Sequence, residues 1–206
     1  MTEVNRLEEL RRLMPPTTES DTSVDWNRMA ETWGNRFPED YRQFIARYGS
    51  GTIENYLVVQ DPEPKGERAP EATGGMLHET ANATLVWTKV PKSPELADAH
   101  PKLIAWGADA SSDILCWDAS GDDPETWPVL VHNRGDNLWR RYDCGMVEFL
   151  VRVLRADFEE CPLGDLSLWG KDGLTFLTWR EEQRRIKAGL DPWTGEPDPF
   201  AGMFGD

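Results

Sequence analysis

The sequence is poor in cysteine and histidine and has no long apolar run. Its cysteines, Cys116, Cys144 and Cys161, are odd in number, widely spaced and form no CxxC pair. This pattern excludes a disulfide framework and argues against a zinc ribbon. No run approaches the ~20 apolar residues of a membrane span, and the charged start MTEVNRLEELRR has no signal-peptide core. We therefore predict a cytoplasmic protein with reduced thiols and no membrane partner.

Positive charge is also scarce. Lysine and arginine number 22 against 37 aspartates and glutamates, so the formal net charge is −15. Such a chain repels phosphate backbones and anionic membranes, and nucleic acid is not an expected partner. A basic protein would be attracted to it and steered towards it. The alternative is that the acidity serves only to keep the protein dissolved.

What the sequence does contain is typical of a globular chain. Of its 206 residues, 39% are hydrophobic, and ten are tryptophans that supply bulky core groups. Proline and glycine clusters divide it into three parts. We predict an N-terminal helix and linker at 1–22, a main domain at 23–160, and a C-terminal helix with a Pro/Gly-rich tail at 161–206.

The spacing of apolar residues predicts the fold class. Helical periodicity predicts helices over 2–13, 25–33, 38–48, 145–160 and 172–188. TIENYLVV reads as a strand, and the runs KLIAWG, DILCWD, WPVLVHN and LWRRYD read as an antiparallel meander. Residues 61–75 are predicted as a loop, and 78–90 are ambiguous, with a strand possible at 85–87. We expect an α+β fold: one central, largely antiparallel sheet of about five to six strands with helices packed against it, plus a C-terminal helical extension.

A search for catalytic motifs finds none that is complete. GxSxG, phosphate-loop and dinucleotide-loop patterns are absent, and the three histidines share no metal-ligand spacing. DASGDD begins like a calcium loop, but Asp123 stands where that loop requires glycine. His132 reads as a solvent-facing strand residue, and Cys116, its possible cross-strand neighbour, as a structural thiol. We predict no catalytic residue, no metal and no cofactor.

The most informative pattern is an acidic window. Residues 103–133 contain no lysine or arginine but six acidic residues: Asp109, Asp113, Asp118, Asp122, Asp123 and Glu125. Trp117 and Trp127 lie among them, and an aromatic anchor inside a charged rim is typical of tight protein interfaces. These eight residues are the predicted partner-binding set. The alternative is a group of solvated loops at the end of a sheet, with the tryptophans in the core.

Several segments together resemble the SUKH (Smi/Knr-type) family. WGNRFPEDYRQFIARYGSG, at 33–51, is similar to the family signature of an aromatic residue, a proline-started helix and a terminal glycine pair. Phe37 stands in the usual leucine position of that signature. IAWGAD, DILCWD and VLVHN, followed by the helix from Met146, are similar to its later strands and helix. The resemblance spans roughly residues 26–160.

The resemblance implies a non-enzymatic α+β protein that acts by binding. Many bacterial members of the family are immunity proteins that block toxins, often nucleases or deaminases, whereas fungal relatives scaffold cell-wall signalling. The resemblance does not name the partner. Together with the net charge of −15, it leads us to expect a basic toxin domain as the partner, and we expect a monomer or weak dimer. The alternatives are a housekeeping interaction protein without a toxin partner and, least favoured, an enzyme.

Overall fold

The structure, a computed structural model, describes residues 3–16, 20, 22–63 and 75–201. Its helices are α1 (Glu3–Leu13), α2 (Trp26–Trp33), α3 (Glu39–Tyr48), α4 (Met76–Lys89), α5 (Met146–Leu154) and α6 (Trp179–Lys187). Its strands are β1 (Gly51–Ile53), β2 (Leu57–Val59), β3 (Leu103–Asp109), β4 (Ile114–Asp118), β5 (Val129–Asn133), β6 (Leu138–Tyr142) and β7 (Phe176–Thr178). Short 3-10 helices occur at Pro94–Leu96 and Pro124–Thr126.

The strands form one sheet in the order β6-β5-β4-β3-β2-β1-β7, and every neighbouring pair is antiparallel. The predicted α+β fold and the β3–β6 meander are confirmed. The sheet has seven strands rather than five to six, partly because TIENYLVV forms a hairpin rather than a single strand. Glu54 and Asn55 turn the chain there with positive φ angles of 51° and 52°.

The seventh strand comes from the segment predicted as the last helix. That helix begins only at Trp179, and β7 before it pairs with β1. A Cβ on Gly51 would collide with the backbone carbonyl of Leu177, so this pairing needs glycine at that position. Residues predicted to lie in a C-terminal extension therefore complete the central sheet.

The N-terminal helix is also part of the main body. Leu10 and Met14 are fully buried, and α1 packs against α5 and α3. The hydroxyl of Tyr48 in α3 donates to the Met14 carbonyl oxygen at 2.8 Å. The sequence division at residues 22 and 160 thus separates segments that share one core.

Helix α4 includes residues 85–87, so the strand interpretation of this segment is wrong. Its buried positions, Met76 and Ala83, are two turns apart, and its half-buried Val86 and Trp87 continue the same face onto β3. The packing of this face against β3 decides for a helix in this ambiguous segment.

Both faces of the sheet carry an apolar core. Alternate residues such as Trp106, Leu115 and Val131 pack on the side of α1, α3 and α5, and residues such as Cys116 and Leu130 pack on the side of α4. His132 is only 3% exposed, so its predicted solvent-facing position is wrong. Burial lowers the pKa of its imidazole. Cys116 is fully buried, and burial raises the pKa of its thiol.

Two predictions lie partly outside the described residues. The loop predicted at 61–75 is described only at 61–63 and 75, and the tail only to residue 201, so Met203 and Phe204 are not covered. Helix α5 ends at Leu154, six residues before its predicted end at 160.

None of the helices in the described part of the chain has the length and apolarity that a bilayer crossing requires.

Candidate functional site

The acidic window is divided between the two ends of the β3–β4 hairpin. Asp109 and Asp113 flank the turn between the two strands, and we name them the buried pair. Asp118 ends β4, and residues 118–125, the start of the connection to β5, are named the acidic loop. At ~3.4 Å per residue, the five-residue strand β4 separates the two groups by on the order of 15 Å.

The carboxylates of the acidic loop face solvent. Asp122 and Asp123 are exposed, and Asp118 is half-buried. Asp118 accepts hydrogen bonds from the Ser120 amide and hydroxyl at 3.1 and 2.6 Å, and Asp123 accepts one from the Glu125 amide at 3.2 Å. Within the ranges that the structure describes, no lysine or arginine forms an ion pair with residues of this loop. Its negative charge is therefore available to a partner.

Glu125 connects the acidic loop to a helix. Both oxygens of its carboxylate accept from the backbone amide of Glu39, at 3.1 and 3.0 Å. That amide begins α3, whose N-cap residue, Pro38, has no side-chain cap of its own. A carboxylate at this position also complements the positive end of the helix dipole.

Asp40, in the first turn of α3, caps a second helix, α5, in the same way. Its Oδ2 accepts from the Val147 amide at 3.0 Å and so caps α5, which also lacks a local side-chain cap. A Cβ on Gly145 would lie 2.7 Å from that oxygen, so glycine makes the approach possible. Burial and, to a lesser degree, the charge of Glu125 raise the pKa of Asp40, although backbone hydrogen bonds oppose the shift.

These caps surround a cavity of about 220 Å³. Its lining brings together three carboxylates, one guanidinium, one thiol and an apolar wall: Arg6, Pro38, Asp40, Pro124, Glu125, Trp127, Cys144, Gly145, Val147 and Glu148. The guanidinium of Arg6 already pairs with Glu9 at 3.1 Å and Glu148 at 3.2 Å. The cavity therefore carries an excess of negative charge.

Cys144 and Asp40, the thiol and the buried carboxylate of the cavity, have environments that disfavour covalent chemistry. Burial raises the pKa of the Cys144 thiol to about 12, which leaves it protonated and unreactive at neutral pH. Asp40 is 9% exposed, and both of its oxygens already accept backbone hydrogen bonds. Among the described residues no group of three potential ligands could hold a metal ion.

The two tryptophans of the predicted partner-binding set are core residues rather than surface anchors. Trp117 is fully buried and contacts the ring of Tyr41 edge-on, with centroids 4.9 Å apart. Trp127 is 3% exposed, and its indole N–H donates to the Gly121 carbonyl oxygen at 2.8 Å. Trp127 still contributes one wall of the cavity, whereas Trp117 offers no surface to a partner.

The buried pair also differs from its prediction. Asp113 has no exposed surface, and its oxygens accept from backbone amides, so it is not accessible to a partner. Asp109 is half-buried and holds the amides of the same turn. Of the eight predicted residues, the structure therefore groups four acidic ones at a single surface: Asp118, Asp122, Asp123 and Glu125.

Sequence reasoning missed Arg6, Asp40 and Glu148 as parts of the site. Asp40 follows a proline at a helix start, where an acidic residue is explained by the dipole of its own helix. Its contact with Val147 spans 107 positions in the sequence, so no local pattern indicates it. Comparisons with protein-family models, curated proteins and solved structures give no match for this chain.

Proposed function

We propose that this protein is a non-catalytic binding module of the SUKH type, and that it acts as an immunity protein by covering a basic toxin domain of the nuclease or deaminase class. The observation that carries the proposal is the acidic loop, whose exposed carboxylates lack cationic partners in the described chain and border an acidic cavity. The enzymes of these toxin classes bind nucleic acid through cationic surfaces, and the acidic loop would occupy such a surface by mimicking the nucleic acid.

The shape of the cavity supports the same type of partner. Pro38, Pro124 and Trp127 supply apolar walls beside the carboxylates of Asp40 and Glu125. A lysine or arginine side chain matches this combination, because its methylene stem packs on apolar surface while its charged head contacts carboxylates. The net charge of −15 would accelerate the approach of a basic protein.

The family part of the proposal rests on residues 33–51 and on the fold class. In the structure this segment runs from the end of α2 through α3 to β1, as the resemblance implies. The later motifs correspond to β3, β4, β5 and α5 in that order around one antiparallel sheet.

The first prediction concerns charge reversal in the acidic loop. Changing Asp118, Asp122 and Asp123 to lysine should weaken binding to the cognate toxin domain at least tenfold and flatten its salt dependence, because the steering charge is reversed. Titration calorimetry at two salt concentrations measures both effects. The control is the triple change Asp98→Lys, Glu159→Lys and Asp172→Lys, which alters the net charge equally at exposed positions elsewhere.

The cellular experiment is co-expression with the toxin encoded by a neighbouring gene. The native chain and the control triple should restore growth, and the loop triple should not. Growth arrest that the native chain leaves undiminished would defeat the proposal. Equal protection by both triples would place the interface on another surface.

A second candidate is a housekeeping interaction protein of the Smi/Knr type. The observation that favours it is the C-terminal unit of α6 and residues 188–201, in which no residue is buried. Ile186 is 47% and Phe200 60% exposed, so this unit offers apolar surface away from the acidic loop. Deleting residues 188–206 would abolish partner capture under this alternative and leave toxin neutralisation intact under the first.

A further inference from the structure

The buried pair joins three segments that are distant in the sequence. Asp113 accepts a hydrogen bond at Oδ1 from the Arg134 amide at 2.6 Å and one at Oδ2 from the Gly164 amide at 2.5 Å. These amides belong to the β5–β6 turn and to the segment that follows α5. A Cβ on Gly164 would lie 3.1 Å from Asp113 Oδ1 and 3.3 Å from the Gly135 nitrogen, so the two segments meet closely.

Asp109 completes the pair with one satisfied and one unsatisfied oxygen. Its Oδ1 accepts from the amides of Ser111 and Asp113, each at 2.9 Å. Its Oδ2 is buried and has no hydrogen-bond partner among the described residues. An ionised carboxylate with a buried, unpartnered oxygen beside a second buried carboxylate is costly, whereas a proton on Oδ2 would turn that atom into a donor towards Asp113.

Among the described residues, the groups that surround the pair include no cation that forms an ion pair with it. Tyr56 approaches from the β1–β2 turn, His132 from β5 and Cys161 from the segment after α5. Burial raises the pKa of Tyr56 and Cys161 and lowers that of His132, so all three are uncharged at neutral pH. The Arg134 side chain is exposed, and Asp165, whose pKa is lowered by hydrogen bonds from Ser167, adds a further negative charge.

We propose that Asp109 and Asp113 share one proton, and that this proton stabilises the contact between the segment at 162–165 and the end of the sheet. Loss of the proton leaves two negative charges side by side in a buried site. Repulsion between them weakens the hydrogen bond from the Gly164 amide. This dependence of the contact on a proton requires no binding partner.

The pKa of Asp109 sets the pH range in which the shared proton is lost. Burial above all, and then the neighbouring Asp113 charge, raise the pKa of Asp109 to about 7 from its ordinary 3.8, against the lowering effects of the Asp113 amide and the Tyr56 hydroxyl. Between these values the folded chain holds a proton that the unfolded chain has lost. The contribution of the pair to stability therefore falls as the pH rises from about 4 to about 7 and is constant above that range.

The test is amide hydrogen exchange of the full chain, followed by NMR between pH 6 and pH 8. After correction for intrinsic exchange, the protection of the Gly164 amide should fall about tenfold in the native protein. It should change less than about twofold in Asp109→Asn, which stays neutral throughout. Asp118→Asn removes the same charge from the acidic loop and should behave like the native protein.

Two results would overturn the inference: constant protection of Gly164 in the native protein, or the same fall in Asp109→Asn. A carbon-13 titration of the native aspartates gives an answer even if that variant fails to fold. The Asp109 carboxyl should titrate with a midpoint near 7. A midpoint close to 3.8, its ordinary value, would show that no proton is shared.

Discussion

The two ends of β4 hold carboxylates of the same window in opposite environments. At one end, Asp113 is enclosed by backbone amides and has no contact with solvent. At the other, Asp122 is exposed and has no ion-pair partner in the described chain. Charge pattern alone does not distinguish them. The number of main-chain donors that the tertiary fold brings to each carboxylate decides whether it is structural or available to a partner.

The largest expected effect tests the buried end directly. Asp113→Ala removes the acceptor for two amides and leaves buried donors unsatisfied, so it should lower the free energy of unfolding by about 3 kcal/mol. Urea denaturation measures the change. Asp122→Ala is the matched control and should stay within about 0.5 kcal/mol of the native protein. Equal losses for the two variants would remove the distinction between the two ends.

A pair of glycines gives a second, smaller contrast. Gly164→Ala places a methyl group 3.1 Å from Asp113 Oδ1 and should cost about 1–2 kcal/mol of stability. At Gly121 in the acidic loop the nearest atom to a new Cβ is 3.8 Å away, so Gly121→Ala should be neutral or slightly stabilising, within about 0.5 kcal/mol. Thermal unfolding of both variants measures the difference. A neutral Gly164→Ala would mean that the segments around Asp113 pack less closely than described.

The smallest effect concerns the link between the acidic loop and the helix caps. Glu125→Gln keeps an acceptor for the Glu39 amide but removes the charge that contributes to the raised pKa of Asp40. The pKa of Asp40 should therefore fall slightly and remain above its ordinary value, because burial is the largest cause. A carbon-13 titration of Asp40 measures the shift. A return to 3.8 would show that Glu125, not burial, controls this carboxyl.

Much of the fold was predictable because it depends on local patterns. Alternating apolar residues between turns indicated β3–β6, and helical spacing indicated α3 and α5. The β1–β2 turn was missed because Glu54 and Asn55 adopt positive φ without glycine, and β7 because a three-residue strand runs directly into a helix.

The candidate site was less predictable than the fold. The exposed acidic loop follows from a sequence window without cations, and Glu125 was included in it. The cavity is assembled by contacts such as Asp40 with Val147, which only the tertiary fold creates. Burial of Trp117 and Asp113 likewise depends on which helices cover the sheet, and strand alternation does not reveal how completely they cover it.

The antiparallel pairing of β1 with β7 has a consequence for synthesis. Residues 51–53 receive their second neighbour only from residues 176–178, so the sheet cannot be completed until the growing chain has left the ribosome as far as residue 178. Closing a contact over so long a separation slows folding. Until then the nascent chain presents an open strand edge, the kind of surface that chaperones protect and that premature termination would leave exposed to aggregation.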